Sequence, residues 1–109
     1  MTLNELQQII KKFVEDRNIG TSTENRMLDL LSESGELAKE VLKSSDYGKQ
    51  PFESNDAFRN EFGHVLFSLV CLANQTDLNL EEVINESLIK FDKRFKDHKH
   101  IGSVNKKGE

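Results

Sequence analysis

The chain has 109 residues, enough for one domain with a limited core, and its 36% hydrophobic against 31% charged residues exclude an intrinsically disordered chain. A formal charge of -4 disfavours a surface that wraps nucleic acid, and a lone cysteine, Cys71, excludes an intrachain disulfide. The longest apolar stretch, Val65 to Ala73, is interrupted by Ser68 and falls short of the ~20 residues of a membrane span; Met1 to Asp16 does not resemble a targeting segment, so the expected setting is soluble and cytoplasmic, with no membrane partner.

Apolar periodicity predicts four helices and no strand. The first runs from Leu3 to Arg17, with Leu6, Ile9, Ile10 and Phe13 on one face and Gly20 placed as a stop. The second starts between Thr21 and Thr23, where Thr21 and Glu24 have capping-box spacing, and continues to Lys43 behind an apolar face of Met27, Leu30, Leu31, Leu37, Ala38 and Val41. Ser44 to Glu53, with Tyr47, Gly48 and Pro51, reads as a loop. The third helix spans Ser54 to Gln75. Asn79 caps the fourth, whose first turn holds Glu81 and Glu82 and which reaches His98, burying Val83, Ile84, Leu88, Phe91 and, at its edge, Phe95. The expected fold is an all-α four-helix bundle over residues 1–98, followed by a flexible tail at residues 99–109. A core this small favours completion by pairing with further copies of the chain, a homo-oligomer.

The chemistry lies on the second and third helices. Asp29, Glu33, Glu36 and Glu40 share one narrow arc of the second. Taken alone, that arc reads as a solvated acidic face. The third helix is apolar around nearly its whole circumference, from Phe58 and Phe62 through Val65, Leu66, Phe67, Leu69 and Val70, which marks a buried helix. Its exceptions, Glu61, His64, Ser68 and Gln75, form one stripe. Buried carboxylates are costly unless paired or metal-bound, and a divalent cation between Glu33 with Glu36 and Glu61 with His64 would satisfy all four. The competing possibility is an ordinary hydrogen-bonded His64, with Glu61 paired to Arg59, Lys90 or Arg94. Oxygen ligands point to Mg²⁺ or Mn²⁺. On the fourth helix Lys90 and Arg94 share a face suited to phosphate oxygens, although cations near a helix C-terminus also complement its dipole. Gly35 and Gly63 each precede the second polar residue of a pair, which predicts close backbone approach at both.

In this order the elements resemble the MazG-type nucleotide pyrophosphohydrolases, the all-α NTP pyrophosphatases. That family carries Glu-Glu-x-x-Glu on one helix and Glu-x-x-Asp on the next. The matching stretches are Leu31-Ser-Glu-Ser-Gly-Glu-Leu-Ala38 and Asn60-Glu-Phe-Gly-His-Val-Leu-Phe67, with Leu72-Ala-Asn74, Asp77 to Glu82 and Lys90-Phe-Asp-Lys-Arg94 resembling the downstream region. The resemblance implies hydrolysis of a nucleoside triphosphate to monophosphate and pyrophosphate, with Mg²⁺ or Mn²⁺ as cofactor and a dimer or tetramer as the assembly. It gives Glu33, Glu36 and Glu61 the catalytic metal-carboxylate roles, adds His64 at the remaining ligand position, and places Lys90 and Arg94 near the phosphates. Two positions depart from the pattern: Ser32 stands at the first glutamate and His64 at the aspartate. Imidazole suits Mn²⁺ or Zn²⁺ better than Mg²⁺. The departures leave open an active enzyme with altered metal preference, a weakened enzyme, and a nucleotide-binding or regulatory relative without turnover.

Overall fold

A computed structural model of the chain describes residues 1–98; the tail expected at residues 99–109 lies outside the described residues. Four helices make up the architecture: α1 (Leu3–Asp16), α2 (Thr23–Ser44), α3 (Asp56–Gln75) and α4 (Leu80–His98), with no strand among the described residues.

Local chemistry sets each boundary. At α1 a full capping box forms: the Glu5 backbone N–H donates to Thr2 Oγ1 at 3.0 Å and the Thr2 N–H donates to Glu5 Oε1 at 2.6 Å. The stop expected at Gly20 falls instead at Asn18, whose φ of 53° is left-handed, while the Ile19 N–H closes on the Val14 carbonyl at 3.2 Å. Asparagine tolerates that conformation better than other side chains bearing a Cβ, so the chain turns two residues early. The cap of α2 is Ser22, which accepts from the Asn25 N–H at 3.1 Å, rather than Thr21 paired with Glu24; Thr21 Oγ1 accepts from the Asn25 side chain at 2.9 Å. Asn55 caps α3 through the Phe58 N–H at 2.9 Å, and Asn79 caps α4 through the Glu82 N–H at 2.9 Å, the latter as its sequence position predicts.

The helices α2 and α3 pack along each other, α1 lies on α3, and α4 docks on α1. Between α1 and α3 sits a small core of Ile10, Val70 and Cys71, ringed by Leu6, Val14, Phe67 and Leu80. Gln7 ties three helices together there. Its Nε2 donates to Asn74 Oδ1 at 2.9 Å and to the Leu78 carbonyl at 2.8 Å, its Oε1 accepts from the Leu80 N–H at 2.9 Å, and its own carbonyl accepts from Asn74 Nδ2 at 3.0 Å.

Burial is lower than the sequence pattern implies. On α3 the face carrying Phe62, Leu66 and Leu69 is open, with Phe62 55% exposed, because α1 and α2 cover its other sides and α4 leaves to pack on α1. On α4, Ile84, Leu88 and Phe95 are exposed rather than buried, and Ile9, Met27 and Leu31 stand outside the core as well. Among the described residues, the close backbone approach expected at Gly35 and Gly63 is absent: a Cβ at either would meet nothing within 4 Å.

Candidate functional site

Because α2 and α3 run side by side, residues from the middle of one face residues from the first half of the other. Glu33 on α2 meets Glu61 and His64 on α3. His64 Nδ1 lies 3.0 Å from Glu33 Oε2 and 3.4 Å from Glu61 Oε1. One ligand atom from each of the three lies within 4.8 Å of the other two, the one such group of three acidic, His or Cys side chains among the described residues. The side chains of Glu33 and Glu61 are 29% and 18% exposed, and that of His64 is 50% exposed, so the carboxylates are sunk between the helices with the imidazole at the rim. Two ligands at right angles, each ~2.1 Å from one ion, sit ~3.0 Å apart, the separation of His64 Nδ1 from Glu33 Oε2.

Glu36, one turn along α2, is exposed and lies outside this group. The other acids of the α2 arc are engaged elsewhere. Asp29 lies 3.9 Å from the guanidinium of Arg26, and Glu40 pairs with Lys43 at 3.2 Å. Two cations thus relieve the ends of the arc and leave Glu33 and Glu36 between them. The α3 stripe divides in the same way. Glu61 and His64 belong to the cluster, Ser68 is buried, and Gln75 donates to the Thr21 carbonyl at 2.7 Å, holding the α1–α2 connection. Ser32, where the family motif has its first glutamate, is exposed.

Lys90 and Arg94 stand on α4. Lys90 is exposed, and the Arg94 guanidinium lies 5.9 Å from the centre of the Phe91 ring. Since α4 packs principally on α1, both cations belong to a different layer from the α2–α3 acids within one chain.

Arg26 escaped the sequence reading. It is 7% exposed, and its Nη2 donates to the Ile19 carbonyl at 2.8 Å, which clamps the α1–α2 loop to α2. Its signal was an arginine one turn before Asp29, at a spacing that lets the two interact. The guanidinium also acts on Cys71. Burial pushes that thiol above its ordinary pKa, Arg26 partly opposes the shift, and Asp29 adds to it. The raised pKa and the burial both disfavour the thiolate, the reactive form of a cysteine.

Two helices presenting a carboxylate and imidazole cluster at their seam define a helical protein with a candidate divalent-metal site. Comparison with known proteins narrows the class. The sequence profile of the MazG nucleotide pyrophosphohydrolase domain matches residues 21–100, and the chain belongs to that family. It is 36% identical over 100 residues to the uncharacterised protein YpjD of Bacillus subtilis (strain 168), covering 88% of each chain. The crystal structure of Bacillus subtilis YpjD, presented as a candidate pyrophosphatase, superposes with a TM-score of 0.71 at 36% identity, over 84% of this chain and 95% of that one. A second crystal structure, of a MazG protein conserved in Bacillus and described as a nucleotide pyrophosphohydrolase, superposes with a TM-score of 0.73 at 30% identity, over 90% of this chain and 97% of that one. No described helix is long and apolar enough to cross a membrane.

Proposed function

We propose that the protein is a metal-dependent nucleoside triphosphate pyrophosphohydrolase. Its substrate is cut between the α- and β-phosphates, with water adding to phosphorus and pyrophosphate leaving from the monophosphate. The observation that carries the proposal is the convergence of Glu33, Glu61 and His64 at the α2–α3 seam of a MazG-family fold. Those three side chains fit a divalent cation: their donors are two oxygens and one nitrogen, one from each residue within 4.8 Å of the others. Glu36, exposed one turn along the same helix, completes the set as a further carboxylate. The cation, when bound, supplies polarisation of phosphate oxygens and neutralises part of their charge. Glu33 and Glu61, sunk between the helices, orient that charge toward the seam, and the open rim at His64 admits the triphosphate.

Lys90 and Arg94 are the cations proposed for the outgoing phosphates. They stand on α4, which packs on α1, so the proposal has them serve the seam of a second copy, in a homo-oligomer that also covers the open apolar face of Phe62, Leu66 and Leu69. The compartment proposed is the cytoplasm.

A nucleotide panel assayed for pyrophosphate, with Mg²⁺ or Mn²⁺ and then with chelator, tests the proposal. Chelator-sensitive release of pyrophosphate and monophosphate supports it; orthophosphate as the product sinks it. A second possibility, a nucleotide-binding module without turnover, draws on Ser32 and His64 standing where the family motif has carboxylates. It predicts saturable nucleotide binding in calorimetry with no pyrophosphate released over hours.

A further inference from the structure

Resting on the metal-site reading above, the geometry points to a narrower property: His64 is a direct nitrogen ligand, and the site takes a first-row transition ion, of which Mn²⁺ is the probe, in preference to Mg²⁺. Three observations carry this. First, the imidazole is not turned away from the acids. Its Nδ1 faces both carboxylates, at 3.0 Å and 3.4 Å, which puts it within reach of a cation shared by Glu33 and Glu61. Second, the pattern of donors is Glu61-x-x-His64 on one helix and Glu33 on its neighbour. A Glu-x-x-His motif on one helix beside a glutamate from the next is half of the ligand set by which carboxylate-rich helical bundles hold pairs of iron or manganese ions. Third, Mg²⁺ demands near-ideal octahedral oxygen coordination, whereas imidazole nitrogen is favoured by the ions from Mn²⁺ to Zn²⁺. With histidine in place of a fourth carboxylate beside Glu33, Glu36 and Glu61, the set carries one negative charge fewer, which weakens a purely ionic Mg²⁺ site, while the nitrogen bond compensates for the transition ions.

The selectivity sits on His64 alone, so a single substitution reverses it. His64 is half-exposed at the rim, and His64→Asp leaves the buried packing of α3 untouched. The experiment uses the full chain, stripped by chelator and dialysed, with Mn²⁺ as the only added ion. Its primary readout is independent of activity: pulsed electron paramagnetic resonance of the bound Mn²⁺, which registers a directly coordinated ¹⁴N nucleus. The wild type should show that coupling, and His64→Asp should bind Mn²⁺ without it. Removing even an outer partner of a metal ligand typically costs 10–100-fold in affinity, so the ratio of Mn²⁺ to Mg²⁺ affinity should fall at least about tenfold in the variant. Circular dichroism of both proteins verifies equal helix content, and His64→Asn, of similar size and uncharged, should also lose the coupling.

Bound Mn²⁺ without nitrogen coupling in the wild type overturns the inference and leaves the hydrolase reading intact. An unchanged affinity ratio in His64→Asp overturns it too. Absence of any Mn²⁺ binding by the wild type overturns the inference; pyrophosphate release by the same protein in Mg²⁺ would then leave the hydrolase reading standing, and no release in either ion would defeat both.

Discussion

Replacing Gln7 by leucine should loosen the joint at which α1, α3 and α4 meet while sparing the α2–α3 seam. The side chain is 7% exposed and makes three hydrogen bonds, to Asn74 Oδ1, the Leu78 carbonyl and the Leu80 N–H. A typical internal hydrogen bond contributes a net ~1 kcal/mol, and a buried group left unpaired costs about 1–3 kcal/mol. Leu78 is 48% exposed, so its carbonyl can turn to water; Asn74 and Leu80 are more enclosed and recover less. The leucine side chain returns part of the loss by burying apolar surface. The expected net cost is about 2–3 kcal/mol. For a domain of this size each kcal/mol shifts the melting temperature by about 4–8 °C, so a drop of about 10–20 °C is expected at matched protein concentration. Urea denaturation followed by circular dichroism measures the free energy, and a double-mutant cycle with Asn74→Ala isolates the shared bond. A cost below about 0.5 kcal/mol would mean that water replaces Gln7 freely and that the joint is not held by this side chain.

Val70→Ala, at a residue with no exposed surface, should cost about 2 kcal/mol through the cavity it leaves, read in the same denaturation experiment. Gly63→Ala should stabilise by about 0.5–1 kcal/mol, since a Cβ there meets nothing and alanine is the better helix former; a loss of stability would show that another copy approaches this position. Leu66→Glu, on the open α3 face, should convert the proposed oligomer to monomer in sedimentation, and an unchanged mass would move the interface elsewhere. Burial holds the Cys71 pKa above its ordinary value, so the native thiol stays protonated at mildly alkaline pH; its alkylation should be slow in the folded protein and rise sharply in urea, whereas equal rates would contradict its burial.

The helices were legible because their signals are local. Periodicity marked all four, and Asn79 announced its own cap. The cap of α2 and the stop of α1 were misplaced by one or two residues, because Ser22 competes with Thr21 for the same donors and Asn18 takes the left-handed turn that a glycine usually fills. Burial was overestimated for a different reason. An apolar face such as Phe62, Leu66 and Leu69 says that something covers it, and sequence does not say whether that is the same chain. The pairing of Glu33 with Glu61 and His64 was readable from two short motifs on adjacent helices, and the structure brings those three together. The position of Glu36 outside the group was not readable, since residues three apart on a helix share a face without sharing a direction. Nor was the division of the acidic arc. It depends on Arg26, whose buried guanidinium is fixed by a loop carbonyl that no periodicity describes.

Glu33 and Glu61 are proposed to hold the cation on which nucleotide cleavage depends. Pyrophosphate release by the wild type and by Glu61→Gln, assayed side by side on the best nucleotide of a panel with saturating divalent ion, tests it most directly. Glu61 is sunk between two helices and contacts His64, so the neutral isostere removes a charge from the site while keeping its shape. The expected outcome is loss of at least about a hundredfold in rate, equivalent to ~2.7 kcal/mol of transition-state stabilisation, with helix content unchanged. Equal rates in the two proteins, or release by the wild type that persists in excess chelator, would contradict it.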